Sequence, residues 1–131
     1  MYDEHGKYSI SMDGGIFYSK FEGAFNDIAS KSWCERAKRV IESFGNRKFL
    51  MLVNLLELEG GTPGAWDDAD RFNKWLNQKN MIAKALVITS SMTKEIERAR
   101  VPSSRTQNIR YFDNERNATT WLLSQSTFHG E

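Results

Sequence analysis

The chain has 131 residues, a mass of 15.1 kDa and a formal net charge of +1 at pH 7. Hydrophobic residues make up 40% and charged residues 27%, a composition that suits one folded domain and excludes a disordered chain. The apolar runs are far shorter than the ~20 residues needed to cross a bilayer, and the small net charge favours neither nucleic acid nor an anionic membrane as a partner.

The sequence predicts one domain over residues 1–131, with a core at about 5–125 and a tail at 126–131. Its sole cysteine, Cys34, excludes an internal disulfide and favours a cytoplasmic location. The first predicted element is a hairpin, because Tyr8, Ile10 and Met12 alternate with polar residues before a turn at 13–15 and a second strand at 16–21.

A helix is predicted next, after Gly23 ends the second strand. Asn26 or Asp27 can cap this helix, and Gly45 can end it. Its inward positions recur at spacings of three and four, which is typical of an amphipathic helix: Ala29, Trp33, Ala37, Val40, Ile41 and Phe44.

Two interior strands are predicted at 49–53 and 83–88, because these runs are apolar at every position except Lys84. Between them, residues 55–61 are expected to form a loop. Thr62 and Pro63 then predict a helix start. The inner stripe of that helix contains Ala65, Ala69, Phe72 and Leu76.

The remaining segments predict a short helix, a strand and a last helix. Ser90 or Ser91 can cap the short helix, with Met92, Ile96 and Ala99 inward, and the strand follows at 108–112. Asp113 can cap the last helix, which is expected to bury Ala118, Trp121 and Leu122. The order predicts an α/β fold in which an N-terminal hairpin is followed by a mainly parallel five-stranded sheet with four helices.

We predict no catalytic residue, no metal site and no cofactor, and therefore no enzyme. His5 and His129 stand at opposite ends of the chain, whereas a metal site needs three or four converging ligands. Cys34 has no histidine close to it in sequence that could activate a thiol, so it is interpreted as a half-buried structural residue.

The glycine-rich segment at 60–64 is surrounded by carboxylates that disfavour a bound phosphate. The surrounding acidic residues are Glu57, Glu59, Asp67, Asp68 and Asp70, opposed by Arg71. They could form an acid/base pair or a site for a hard cation, but a solvated helix start is favoured. A basic stretch at 94–110 is similarly interpreted as a solvated face. The two patches could instead complement each other between subunits.

Trp66 and Trp75 lie off the inner stripe of the second helix. They are predicted to line a crevice or a partner surface rather than the core. Leu55 and Phe72 complete this tentative apolar ligand site.

Two stretches resemble the SpoIIAA-like (STAS-like) family. One is 109–113 with Ala118, Trp121 and Leu122, and the other leads from 58–60 through Thr62 to Ala65, Trp66 and Asp68. The resemblance implies a βα superhelix with its helices largely on one side, and a fold that is also described in lipid-binding domains. In the anti-anti-sigma branch, a serine near the start of the second helix is phosphorylated. Here the matching segment has Thr62 before a proline and no serine.

Our first hypothesis is a non-enzymatic SpoIIAA-like binding module, a homodimer that takes a lipid-like or other apolar ligand. It depends on the two interior strands having more apolar area than the chain's own helices can cover. The alternative is a STAS-type regulatory domain that binds another protein. Its tentative partner-binding residues are Glu57, Glu59, Thr62, Asp67 and Asp68.

Overall fold

A computed structural model describes residues 6–128, so His5 and His129 lie outside the described part. A single five-stranded sheet has the order β1-β2-β3-β4-β5, with an antiparallel first pair and parallel pairs thereafter. The elements are β1 (Lys7–Asp13), β2 (Ile16–Phe25), α1 (Asp27–Glu42), β3 (Phe49–Gly61), α2 (Pro63–Leu76), β4 (Met81–Val87), α3 (Ser91–Arg100), β5 (Ile109–Phe112) and α4 (Glu115–Phe128). The predicted α/β architecture is confirmed.

The segment 55–61 is a strand, and its prediction as a loop is wrong. Its alternating Leu and Glu residues suit a strand, and β2 provides a backbone partner because it continues to Phe25. Gly23 therefore does not end β2. It has φ of +81° and lies at a register shift, so a left-handed backbone carries the strand through an irregularity.

The helix starts follow the predicted capping chemistry with one exception. Asn26 accepts from the Ala29 amide at α1, and Thr62 accepts from the Ala65 amide at α2, with Pro63 as the first helical residue. At α4 the capping side chain belongs to Asn114, which accepts from the Asn117 amide, and not to Asp113. Helix α4 extends to Phe128.

Both faces of the two interior strands are covered within one chain. Alternate side chains of each strand pack against α1 and α2, on the face that we call the α1/α2 face. The side chains between them point to the opposite side of the sheet and pack against Ala118 and Leu122 of α4, on the α4 face. Every residue of β3 from Phe49 to Leu55 is buried. The expected surplus of apolar strand area is therefore wrong, because α4 covers the side that was expected to lack a helix.

Helix α3 packs differently from its prediction. Met92, Ile96 and Ala99 are exposed, and Glu97 is the buried residue of this helix. Glu97 accepts a hydrogen bond from the Tyr111 hydroxyl at 2.8 Å and one from the Ser104 hydroxyl at 3.3 Å. The helix is therefore attached to the α1/α2 face through a polar group rather than an apolar stripe.

Candidate functional site

A cavity of about 120 Å³ lies between the sheet and helices α1 and α2. Three of the four residues predicted for an apolar ligand site line it, namely Leu55, Trp66 and Phe72. Other apolar walls come from Phe21, Phe25, Trp33, Met51, Val53 and Leu86. These three residues therefore lie around one cavity on the α1/α2 face, and their role as a ligand site stays a prediction.

Aromatic rings form much of the cavity wall. The Trp33 ring lies 4.7 Å from Phe72 at an interplanar angle of 66° and 5.2 Å from Phe21 at 48°. Tilted and edge-to-face contacts of this kind are the arrangements that aromatic pairs prefer. Gly60 and Gly61 add wall without side-chain volume.

Trp75 does not line the cavity, so the structure does not bring it together with the other three residues of the predicted ligand site. Its ring packs against Phe72 with centroids 5.6 Å apart, and the Lys38 and Lys79 ammonium groups lie 5.5 Å and 4.8 Å from its centroid. Helical geometry separates it from Trp66, because residues nine positions apart do not share one narrow stripe. Trp75 is a half-buried residue under two cations.

A lysine on strand β4 forms part of the cavity wall. Lys84 is paired in register with Met51, is 3% exposed, and donates from Nζ to the Asn73 side-chain carbonyl oxygen. Burial lowers the pKa of its ammonium group to about 8, although the nearby Glu97 charge acts to raise it. Gln107 also donates to the Asn73 oxygen, at 3.0 Å.

Lys84, Asn73 and Glu97 were missed as site residues. Glu97 also lines the cavity. Burial of Tyr111, together with the hydrogen bond that its hydroxyl donates to Glu97, raises the pKa of the Tyr111 phenol. A signal for Lys84 was present in the sequence, because it is the one charged residue in an otherwise continuous apolar strand. Asn73 and Glu97 lie on amphipathic helices, where polar residues are ordinary and give no such signal.

Cys34 also borders the cavity and has the structural character predicted for it. Burial, followed by the charge of Asp68, raises the pKa of its thiol to about 11. A thiol that stays protonated at neutral pH is a weak nucleophile. Cys34 therefore contributes packing rather than thiolate chemistry.

Asp68 is buried, which contradicts its predicted exposure on a solvated helix start. Burial acts to raise the pKa of its carboxyl, but hydrogen bonds from Ser30, Arg71 and Lys31 lower the pKa below its ordinary value. Ser30 donates at 2.6 Å and Lys31 at 3.2 Å, while Arg71 forms an ion pair across one helical turn. Asp68 joins α1 to α2 and is not available to a partner. The first turn of α2 contains no acidic residue.

The other predicted partner-binding residues lie near the junction of β3 and α2. Glu57 and Glu59 are exposed, whereas Thr62 caps α2 and donates its hydroxyl hydrogen to Asp27. Asp67 is 60% exposed and forms an ion pair with Arg100 at 3.3 Å. Part of the acidic patch is therefore neutralised by the basic stretch of the same chain.

Residues 6–128 contain neither a cluster of metal ligands nor a helix suited to a membrane. No group of three or more His, Cys, Asp or Glu side chains in this range could hold a metal ion. No helix in the same range has the length and apolar character needed to cross a membrane.

No protein-family model and no curated protein matches the chain, but several solved structures resemble its fold, among them the following two. One is an uncharacterised DUF3478-family protein with a SpoIIAA-like fold from Shewanella loihica PV-4. Its TM-score is 0.65 at 15% identity over 93% of this chain and 97% of that one. The other is an anti-sigma factor antagonist from Mycobacterium paratuberculosis, with a TM-score of 0.64 at 11% identity over 89% of this chain and 93% of that one. The predicted SpoIIAA-like fold is confirmed.

Proposed function

We propose that the protein is a non-enzymatic binding module that takes a small apolar ligand into the cavity on the α1/α2 face. The observation that supports this proposal is a hollow of about 120 Å³ with a mainly apolar wall, inside a core whose strands are otherwise covered on both sides. A concave space with a mainly apolar wall is the usual form of a site for a small apolar molecule.

The volume limits the size of the ligand. An engineered cavity of about 150 Å³ lined by apolar side chains binds benzene. We therefore expect a molecule of about six non-hydrogen atoms, or the end of a lipid-like chain whose remainder stays outside. Half-buried Trp66, beside the backbone of Gly61, marks the side from which such a chain would enter.

The experiment fills the cavity and measures the loss of binding. Ala69 lines the cavity, so Ala69→Leu places a larger side chain in the ligand's space. Ala99→Leu makes the same change at an exposed position of α3 and is the matched control. Benzene binding, followed by calorimetry, should weaken at least tenfold in Ala69→Leu and stay unchanged in Ala99→Leu. Absence of benzene binding to the unmodified protein would contradict the proposal.

A second candidate is a STAS-type regulatory domain that binds another protein. It is supported by the similarity to an anti-sigma factor antagonist and by the exposed carboxylates of Glu57, Glu59 and Asp67 near the start of α2. Phosphorylation of Thr62 is not part of this candidate, since its hydroxyl already contacts the Asp27 carboxylate.

Charge reversal tests the second candidate at a residue that does not carry the fold. Asp67→Lys should abolish capture of a protein partner, while Glu42→Lys at the C-terminal end of α1 should leave capture unchanged. Equal capture by both variants would contradict a role for this surface. Asp68 is not used because its substitution would leave Ser30, Lys31 and Arg71 without their shared acceptor.

A homodimer and a cytoplasmic location stay predictions. The reason given for the dimer no longer holds, because α4 covers the strand face that a second subunit was expected to cover. Light scattering at tens of micromolar tests the dimer directly, and a strictly monomeric mass would contradict it.

A further inference from the structure

The cavity wall contains the primary amine of Lys84, which has few polar neighbours. Lys84 is 3% exposed, and the hydrogen bond that Nζ donates within the described part of the chain goes to Asn73. Among residues 6–128, no carboxylate lies within ion-pair distance of Nζ. An ammonium group has three hydrogens to donate, so this site has donor capacity left for a ligand.

Burial also changes the chemistry of this amine. Removing an ammonium group from water disfavours its charged form, and the pKa of Lys84 is lowered to about 8. A sizeable fraction of the side chain is then the neutral amine near neutral pH, and the neutral amine is the form that attacks carbonyl carbon. Ordinary exposed lysines, with pKa values of about 10.4, are almost entirely protonated there.

Glu97 determines which polar group a ligand can carry. Its carboxylate lines the same cavity and is held by hydrogen bonds from Tyr111 and Ser104. A carboxylate or phosphate on the ligand would hold Lys84 in its charged form, which cannot attack a carbonyl carbon, and would also meet the Glu97 charge in this apolar space. An uncharged carbonyl group meets no such repulsion and can accept hydrogen bonds from Lys84.

We propose that Lys84 captures a small apolar aldehyde or ketone in this cavity as a reversible imine. The proposal rests on the proposed ligand-binding function and names its ligand class. The apolar wall holds the hydrocarbon part, and the size limit of about six non-hydrogen atoms applies to the whole ligand.

The reaction needs no oxidant or reductant. The Nζ lone pair forms a bond to the carbonyl carbon while the carbonyl π electrons move to oxygen, which is then protonated to a carbinolamine. The carbinolamine then loses water and becomes the imine. The water that leaves contains the carbonyl oxygen and two hydrogens, which balance the two hydrogens lost from the amine nitrogen. Hydrolysis reverses the sequence and releases the ligand unchanged.

The test uses the full chain with pentanal and cyanoborohydride at pH 7.5, followed by peptide mass spectrometry. Hydride reduction fixes the imine as a secondary amine, so the modified peptide gains the mass of pentanal less one oxygen atom. We expect Lys84 to be modified at least tenfold faster than Lys48, which is exposed. Lys84→Met should lose this product, and Ala69→Leu should slow it at least tenfold by occupying the cavity.

The outcomes separate this inference from the function on which it rests. If benzene binds but Lys84 is modified no faster than Lys48, the imine inference is overturned and the ligand-binding function stands. If benzene and pentanal both fail to occupy the cavity, both proposals fail. Rapid labelling of Lys84 that is equal in the unmodified protein and in Ala69→Leu would overturn the inference too, because the reaction would then lie outside the cavity.

Discussion

The two faces of the sheet are built from different side chains. The α4 face packs Ala83, Ala85 and Val87 of β4 against Ala118 and Leu122. The α1/α2 face packs Phe17, Trp33, Phe44, Phe49 and Phe72, and it also contains the buried polar residues Ser30, Asp68, Asn73, Lys84 and Glu97. The cavity lies on the second face.

The difference shows how residue size controls where a small domain can hold a ligand. Alanines on a strand allow a helix to approach closely and leave no space between the layers. Large aromatic side chains form much of the cavity wall on the α1/α2 face. The α4 face is thus a closely packed layer, while the α1/α2 face combines a packed core with a cavity.

The largest predicted effect comes from truncating one leucine on each face. Leu122 is fully buried on the α4 face, so Leu122→Ala should create a new cavity and lower the free energy of unfolding by about 4 kcal/mol. Leu55 already borders a cavity, so Leu55→Ala enlarges an existing space and should cost about 2 kcal/mol. Urea unfolding measures both, and equal losses would contradict the packing contrast.

The reverse substitution gives the next largest effect. Ala85 is fully buried on the α4 face, and Ala85→Leu should lower the free energy of unfolding by about 3 kcal/mol through overpacking. Ala69→Leu points into the cavity and should change stability by less than about 1 kcal/mol. Thermal unfolding measures the difference, and a large loss in Ala69→Leu would mean that the cavity cannot accept added volume.

The sequence predicted the order of the helices and strands better than it predicted which face of the sheet each helix covers. Continuous apolar strands and capped helices are local patterns, so the element order and the Asn26 and Thr62 caps were available from the sequence. The extension of β3 through 55–61 was not, because it depends on pairing with β2 across register shifts. The position of α4 on the opposite face is likewise a tertiary choice that helical periodicity does not contain.

The cavity residues were predicted only in part for the same reason. Trp66, Phe72 and Leu55 could be found because a ligand site needs aromatic and apolar walls. Trp75 shares that chemistry but lies outside, and only the packed helix distinguishes the two tryptophans. Lys84 was visible as an anomaly in an apolar strand, yet its partners Asn73 and Glu97 come from elements distant in sequence.

Removing the buried amine should stabilise the protein. Lys84→Met replaces a charge inside the α1/α2 face by an apolar side chain of similar length, and the Asn73 oxygen keeps its hydrogen bond from Gln107. Since the pKa is lowered from 10.5 to about 8, the free energy of unfolding at pH 7 should rise by about 2 kcal/mol. Urea unfolding is the measurement. A loss of more than about 1 kcal/mol would contradict this reading of Lys84.

The smallest predicted effect is a pH dependence of the free energy of unfolding, which comes from Lys84 on the α1/α2 face. Well below pH 8, Lys84 is mostly protonated in both the folded and the unfolded state, and the full penalty of burying its charge applies. As the pH rises above about 8, the folded protein releases this proton while the unfolded chain retains it, so stability increases. The raised pKa values of Cys34 and Tyr111 act in the opposite sense, because the unfolded chain ionises first, from about pH 9 for the thiol and at higher pH for the phenol.

The useful window is therefore pH 7 to 9, where the free energy of unfolding should rise by about 1 kcal/mol in the unmodified protein relative to Lys84→Met. Identical pH profiles for the two proteins in urea unfolding would show that the amine is not desolvated, and the contrast between the two faces would then be one of packing alone.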